Sequence, residues 1–90
     1  MAEHNAGKAP AGWSDDGRNL RRRFELSGFK EAVALIGKIA PLAEAADHHP
    51  DLHLTGYRRL EVVLSTHDAG NRVTEKDYAL AAQIEALTKA

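Results

Sequence analysis

The spacing of apolar side chains changes period repeatedly along this 90-residue chain, and each change marks an element. In NLRRRFEL, Leu20, Phe24 and Leu26 share one parity, interrupted by Arg22, while Arg21, Arg23 and Glu25 take the other. Successive side chains of a strand point to opposite sides of a sheet, so this alternation predicts a strand with one wet face. Asp15-Asp16-Gly17 before it predicts a hairpin turn, with Gly17 free to adopt positive φ, and hence a short first strand near Trp13. Phe29, Val33, Ile36, Ile39, Ala40 and Ala43 then recur at helical spacing, which predicts a helix over 29–46. Ser27 is its expected cap, with Glu31 in the first turn. Pro41 conflicts with this helix, because an interior proline costs roughly 3 kcal/mol. A kink is expected there, or a break from which Pro41 restarts a short second helix.

Period two returns in YRRLEVVLSTH. Leu60, Val62 and Leu64 face one way; Tyr57, Arg59, Glu61, Val63, Ser65 and His67 face the other. Gly56 before this strand predicts a bulge or sharp bend. DAGNR reads as a turn. Thr74-Glu75-Lys76-Asp77 resembles a capping box with Asp in place of the usual Glu, opening a helix that buries Leu80, Ala81, Ile84 and Leu87. The order is β-β-α-β-β-α. Two hairpins, each followed by a helix, predict a single α+β domain: an antiparallel four-stranded sheet with helices packed on one face. Residues 1–11, rich in Ala, Gly, Asn and Pro, read as a flexible N-terminal tail before a folded domain over 12–90.

Composition narrows the function classes. There is no cysteine, hence no disulfide, no thiolate metal site and no cysteine nucleophile, which suits a reducing compartment. The first residues contain no apolar run of a signal peptide, and no stretch approaches the ~20 apolar residues of a membrane span, so a cytoplasmic protein with no membrane partner is expected. Net charge is −1, which argues against a dedicated nucleic-acid binder despite the arginines between Arg18 and Arg23. Those arginines read as a solvated strand face, the competing reading being a basic strip for phosphate backbones. A core this small, with exposed sheet edges, predicts a homodimer or homotetramer.

The candidate chemistry lies in ADHHPDLH and STH. His49 precedes Pro50 and is pushed to an extended conformation, so His48 and His49 project in different directions. Three readings stand side by side. The histidines can be unrelated surface residues. His48, His53 and His67 can form a zinc site, although no paired cysteines or HExxH spacing supports one. Or His48, His49 and His67 can meet at one rim of the sheet for general acid–base work, since imidazole gives and takes protons near neutral pH.

A larger pattern contains these residues. Glu44-x-x-x-His48-His49-Pro50, then Tyr57, Ser65-Thr66-His67 and Thr74-x-x-Asp77 resembles the signature of the pterin-4a-carbinolamine dehydratase family. Gly12-Trp13, Phe24-x-Leu26-x-x-Phe29-x-x-Ala32 and Ala40-x-x-Ala43-Glu44 follow the family's order, so the likeness spans about residues 12–86. His-His-Pro alone would be weak; with Tyr57, Thr66-His67 and Asp77 in order it is specific. The chain departs from the family in its short polar tail before Gly12-Trp13, in Pro41, in a gap from Pro50 to Tyr57 longer by one residue, and in a turn after His67 lengthened at Asn71-Arg72.

The resemblance implies a hydro-lyase that dehydrates a 4a-hydroxytetrahydropterin to the quinonoid dihydropterin in tetrahydrobiopterin recycling, without cofactor or metal. The alternative it implies is a non-catalytic dimerisation module serving a transcription factor through a helix surface. For the enzyme, His48 and His67 are the acid–base pair, and His49 binds and shapes the pterin pocket. Pro50, Thr66, Asp68 and Ala69 border the substrate, and Trp13 either covers the pterin ring or packs in the core. Asp77 either caps its helix or orients His67; Glu44 either contacts His48 at i, i+4 spacing or lies on a solvated face. Tyr57 reads as a core or interface residue rather than a catalytic one.

Overall fold

Glycine and carboxylate chemistry sets the first reversal of the chain. In the computed structural model, which describes residues 9–88, strand β1 (Ser14–Asp15) turns into β2 (Leu20–Glu25). Asp16 Oδ1 accepts the backbone N–H groups of Arg18 and Asn19 at 2.9 and 2.7 Å, and Gly17 adopts φ +88°. These backbone donors hold the exposed Asp16 carboxyl below the usual carboxylate range. Helix α1 (Phe29–Ala46), strands β3 (Asp51–Thr55) and β4 (Arg59–Leu64), a 3-10 turn (His67–Ala69) and helix α2 (Glu75–Leu87) follow. All strand pairings are antiparallel and the order across the sheet is β1-β2-β4-β3, the expected α+β architecture. Residues 1–8 of the expected tail lie outside the described residues, while Ala9 packs against the core.

The core fills the space between one sheet face and both helices. Leu20 and Phe24 of β2 and Leu60, Val62 and Leu64 of β4 meet Leu35 and Ile39 of α1 and Leu80, Ala81 and Ile84 of α2. Arg22 shares the inward parity of Leu20 and Phe24. Its guanidinium lies 4.2 Å from the Phe24 ring centroid, and its Nε and Nη2 donate to the Glu85 carboxylate at 3.1 and 3.2 Å. Trp13 Nε1 donates to the same carboxylate at 2.8 Å, so a buried charge on α2 closes both the interrupted strand and the N-terminal edge. On the opposite sheet face Arg59 pairs with Glu25 (3.1 Å) and Arg21 with Glu61 (3.8 Å).

Four local expectations change. Helix α1 runs through Pro41 without the break from which a second helix was expected to start: the residue sits on the exposed side, and the carbonyl its ring approaches belongs to Gly37, whose backbone adapts most easily. The cap of α1 is Gly28, without a side-chain hydrogen bond, rather than Ser27. The buried face of α1 is Ala32, Leu35, Ile39 and Ala43, leaving Phe29 57% and Val33 45% exposed. Tyr57 belongs to the β3–β4 turn, where Gly56 and Tyr57 both take positive φ, and its side chain is exposed.

Tyr78 ties α2 to the first hairpin. Its hydroxyl donates to Asp15 Oδ2 at 2.5 Å, and burial, followed by that carboxylate, pushes its pKa up to about 12 from 10.0. A phenol whose folded pKa lies above the unfolded value contributes stability that is complete below the unfolded value and is lost as pH rises through the folded one. Chemical denaturation should therefore show stability falling between pH 10 and about 12. Tyr78→Phe should flatten that part of the curve.

Candidate active site

Strand register brings the two histidine segments together. Asp51 pairs with Val63 across β3 and β4. Extending that antiparallel register beyond the strands sets the residues before Asp51 beside those after Leu64. The His48-His49-Pro50 segment therefore meets Ser65-Thr66-His67 at one end of the sheet.

Asp77, three residues into the capping box of α2, anchors this meeting. It is 0% exposed, and a buried carboxylate is costly unless its oxygens are filled. Oδ2 accepts the Thr74 N–H and the Thr66 hydroxyl, each at 2.8 Å, and Oδ1 lies 2.6 Å from His48 Nε2. The Thr66 and Thr74 hydroxyls are 2.6 Å apart, and Thr74 Oγ1 accepts the Lys76 N–H at 3.3 Å. A carboxylate only accepts, so His48 Nε2 carries the proton of that hydrogen bond and Nδ1 is the nitrogen left for a ligand. Among the described residues Nδ1 makes no hydrogen bond.

The backbone turns His48 inward. Asp47 closes α1 in the left-handed conformation (φ 51°), a region that Asp tolerates better than most residues. Its N–H and that of His48 return to the last carbonyls of the helix, His48 N reaching Ala43 O at 3.0 Å. Pro50 then keeps His49 extended, and its side chain stays 57% exposed with Nε2 2.8 Å from Glu44 Oε2. Glu44 thus pairs with His49 rather than His48: the left-handed residue breaks the helical i, i+4 geometry. Asp77 likewise orients His48 and not His67. His67, exposed at the head of its 3-10 turn, places Nδ1 2.7 Å from Asn71 Oδ1.

A groove of about 340 Å³ opens between these segments, a size that suits a small organic ligand. His48, His49, Pro50, Thr66, His67 and Asp68 line it, as do Asp47, Asp51, Ser65 and Lys76, which sequence reasoning did not single out. Asp51 was legible only through the register, Ser65 stood in the Ser65-Thr66-His67 signature without an assigned role, and Lys76 was legible only through its place in the first turn of α2. A smaller adjoining groove shares His49, Asp51, Ser65 and His67. Trp13 and Ala69 are not among the lining residues; Trp13 is committed to Glu85. His53 lies on the other sheet face with Arg23, Arg59 and Glu61, so the trio His48, His53 and His67 does not converge.

A family model described as pterin 4 alpha carbinolamine dehydratase matches residues 1–87. A Roseiflexus castenholzii protein named "Putative pterin-4-alpha-carbinolamine dehydratase" is 46% identical over 76 residues, covering 84% of this chain and 80% of that protein. A Chloroflexus aurantiacus protein of the same name is 47% identical over 75 residues, covering 83% and 78%. A solved structure of a transcriptional coactivator/pterin dehydratase from Brucella melitensis superposes with a TM-score of 0.81 at 32% identity, over 93% of this chain and 89% of that one. A pterin dehydratase-like protein described as a RuBisCO assembly factor in the alpha-carboxysome shares the fold, with a TM-score of 0.71 at 23% identity over 88% and 92% of the two chains.

The two carboxylate–histidine pairs differ in burial, and their energetics should differ accordingly. Asp77→Ala strips a buried donor set of its acceptor and should cost about 3–5 kcal/mol in urea denaturation. Glu44→Ala removes only an exposed pair and should cost less than about 1 kcal/mol.

Proposed function

The chain belongs to the pterin 4 alpha carbinolamine dehydratase family, and from that premise we propose that it dehydrates a 4a-hydroxytetrahydropterin to the quinonoid dihydropterin. The observation that carries the reading is the buried His48–Asp77 pair opening on a groove that His49 and His67 also line.

The reaction needs one acid and one base. The C4a–O bond breaks as the leaving hydroxyl takes a proton from an imidazolium and departs as water. The N5 proton passes to a neutral imidazole, and its electron pair becomes the N5–C4a double bond. Nothing is oxidised or reduced overall. His48, held by Asp77, offers Nδ1, and His67 offers a second ring lining the same groove. A carboxylate behind an imidazole fixes its orientation and stabilises the imidazolium formed during transfer, as in catalytic triads. Each positioned proton transfer is typically worth ~10²–10⁴-fold. His49, exposed and paired with Glu44, serves in binding, with Pro50, Thr66 and Asp68 shaping the pocket.

We also propose that the chain acts as a homo-oligomer. Phe29, Val33, Ile36 and Ala40 follow a 4-3-4 spacing along α1, the spacing of a helix–helix seam; Phe29 is 57% and Val33 45% exposed, while Ile36 packs partly against the core. A second copy of the chain is the occupant that this self-complementary stripe suits. A dimerisation cofactor for another protein would use the same stripe, and the coactivator wording attached to the Brucella relative keeps that reading in view. Its action is proposed in the cytoplasm, in keeping with the cysteine-free composition.

Steady-state assays with both hydroxyl epimers should show turnover by the native chain that survives chelation. His48→Ala and His67→Ala should each lose about 10²–10³-fold, with opposite epimer preference, and His49→Ala should raise KM more than it lowers kcat. A folded double variant, His48→Ala with His67→Ala, should fall near the uncatalysed rate; near-native turnover by it would overturn the assignment. Light scattering at high micromolar concentration should give a dimer or tetramer, and Val33→Glu should shift it towards monomer. A strictly monomeric native chain would refute the oligomer.

A further inference from the structure

The turn that follows His67 carries Asn71 in the left-handed conformation, with its side-chain oxygen on the His67 ring. We propose that Asn71 is a positioning residue that fixes the tautomer of His67, holding the proton on Nδ1 and presenting the Nε2 lone pair to the groove. The inference rests on the acid–base reading above, since a fixed tautomer matters only if the ring moves protons.

Asn71 Oδ1 lies 2.7 Å from His67 Nδ1. An amide oxygen only accepts, so this contact requires a hydrogen on Nδ1, and a neutral imidazole then has none on Nε2. The backbone makes the contact durable. Thr66 N donates to Arg72 O at 2.9 Å, and Thr66 O receives the N–H groups of Ala69 (3.2 Å) and Asn71 (3.1 Å). Gly70 N reaches His67 O at 3.0 Å. The loop is therefore closed on Thr66, the same residue that donates to Asp77, and this holds the Asn71 backbone beside His67.

Conformation supports a role for the side chain. Gly70 and Asn71 both have positive φ, +79° and 58°. Glycine would meet the backbone requirement at position 71 with less strain, whereas asparagine meets it at some cost and adds an amide where the ring needs a partner. His67 is exposed, and among the described residues Asn71 is its only side-chain partner. Without it the ring rotates and its tautomers interchange freely.

The two rings are thus held by opposite nitrogens. Asp77 takes Nε2 of His48 and leaves Nδ1; Asn71 takes Nδ1 of His67 and leaves Nε2. One partner is a buried carboxylate, the other an exposed neutral amide. A pair arranged this way is chemically unequal before any substrate enters.

The test is long-range ¹H–¹⁵N correlation of the imidazoles in the uniformly labelled full chain, at a pH where they are neutral. His67→Gln identifies the His67 signals. The native chain should show His67 with unprotonated Nε2. Asn71→Gly, which keeps the left-handed backbone and so should fold, should give a tautomer mixture. Asn71→Asp retains an acceptor oxygen and should restore the Nδ1–H form. In the dehydration assay Asn71→Gly should lower kcat for the epimer that depends on His67 by roughly tenfold, the scale of lost orientation, with KM little changed. Asn71→Asp should recover most of it. A native Nε2–H tautomer, meaning an amide turned to donate, would overturn the proposal, as would an Asn71→Gly chain with an unchanged tautomer. The spectra decide this independently of turnover, so an inactive protein would count against the dehydratase reading alone.

Discussion

The buried carboxylate of Asp77 is the interaction on which the rest of the site depends. It joins three chain segments that are distant in sequence: the first turn of α2, the exit of β4 at Thr66, and the residue just past α1 at His48. Burying a charge is unfavourable unless donors surround it, and here a backbone N–H, a hydroxyl and an imidazole N–H do so. The same carboxylate completes the capping box of α2. One carboxylate therefore serves both the start of the helix and the placement of the inner histidine.

A second buried carboxylate, Glu85, sits eight residues further along α2, roughly 12 Å at 1.5 Å per residue. It does for the scaffold what Asp77 does for the site. By accepting from Trp13 and Arg22 it lets an arginine occupy an inward strand position and fastens the chain ahead of β1. Gly12 completes this corner: it has φ +94°, and a Cβ there would come within 3.1 Å of the Arg22 side chain. Trp13 is thus explained by packing and hydrogen bonding without reference to any ligand.

Much of this was legible in the sequence wherever a local rule acts alone. The limits of α1, the Asp15–Gly17 turn, the alternation in β2 and β4 and the capping box at Thr74 each follow from neighbours a few residues apart. What was not legible involves a choice between near-equivalent partners. The apolar residues of α1 nearly encircle it, so periodicity could not decide between Val33 and Leu35 as the inward residue. The fold chose Leu35 and left Val33 to solvent. Glu44 lies within reach of either His48 or His49, and the left-handed Asp47 decides for His49. Asp77 could have faced either ring, and the register of β3 on β4 decides for His48.

That register is itself set far from the site. Thr55 pairs with Arg59 around a turn in which Gly56 and Tyr57 both have positive φ. A slip of one residue would turn every β3 side chain to the other face, and a slip of two would carry His48 past Thr66. Any change in the length of this connection has to be absorbed in the turn, because the strand cannot absorb it without moving the rings. Gly56 and Tyr57, both left-handed, are the residues that close the turn. The pair marks the end of the sheet opposite the groove, yet its geometry fixes which side chain meets Asp77. The candidate site is in this sense a product of the hairpin as a whole, and the conformation of an exposed turn is part of its chemistry.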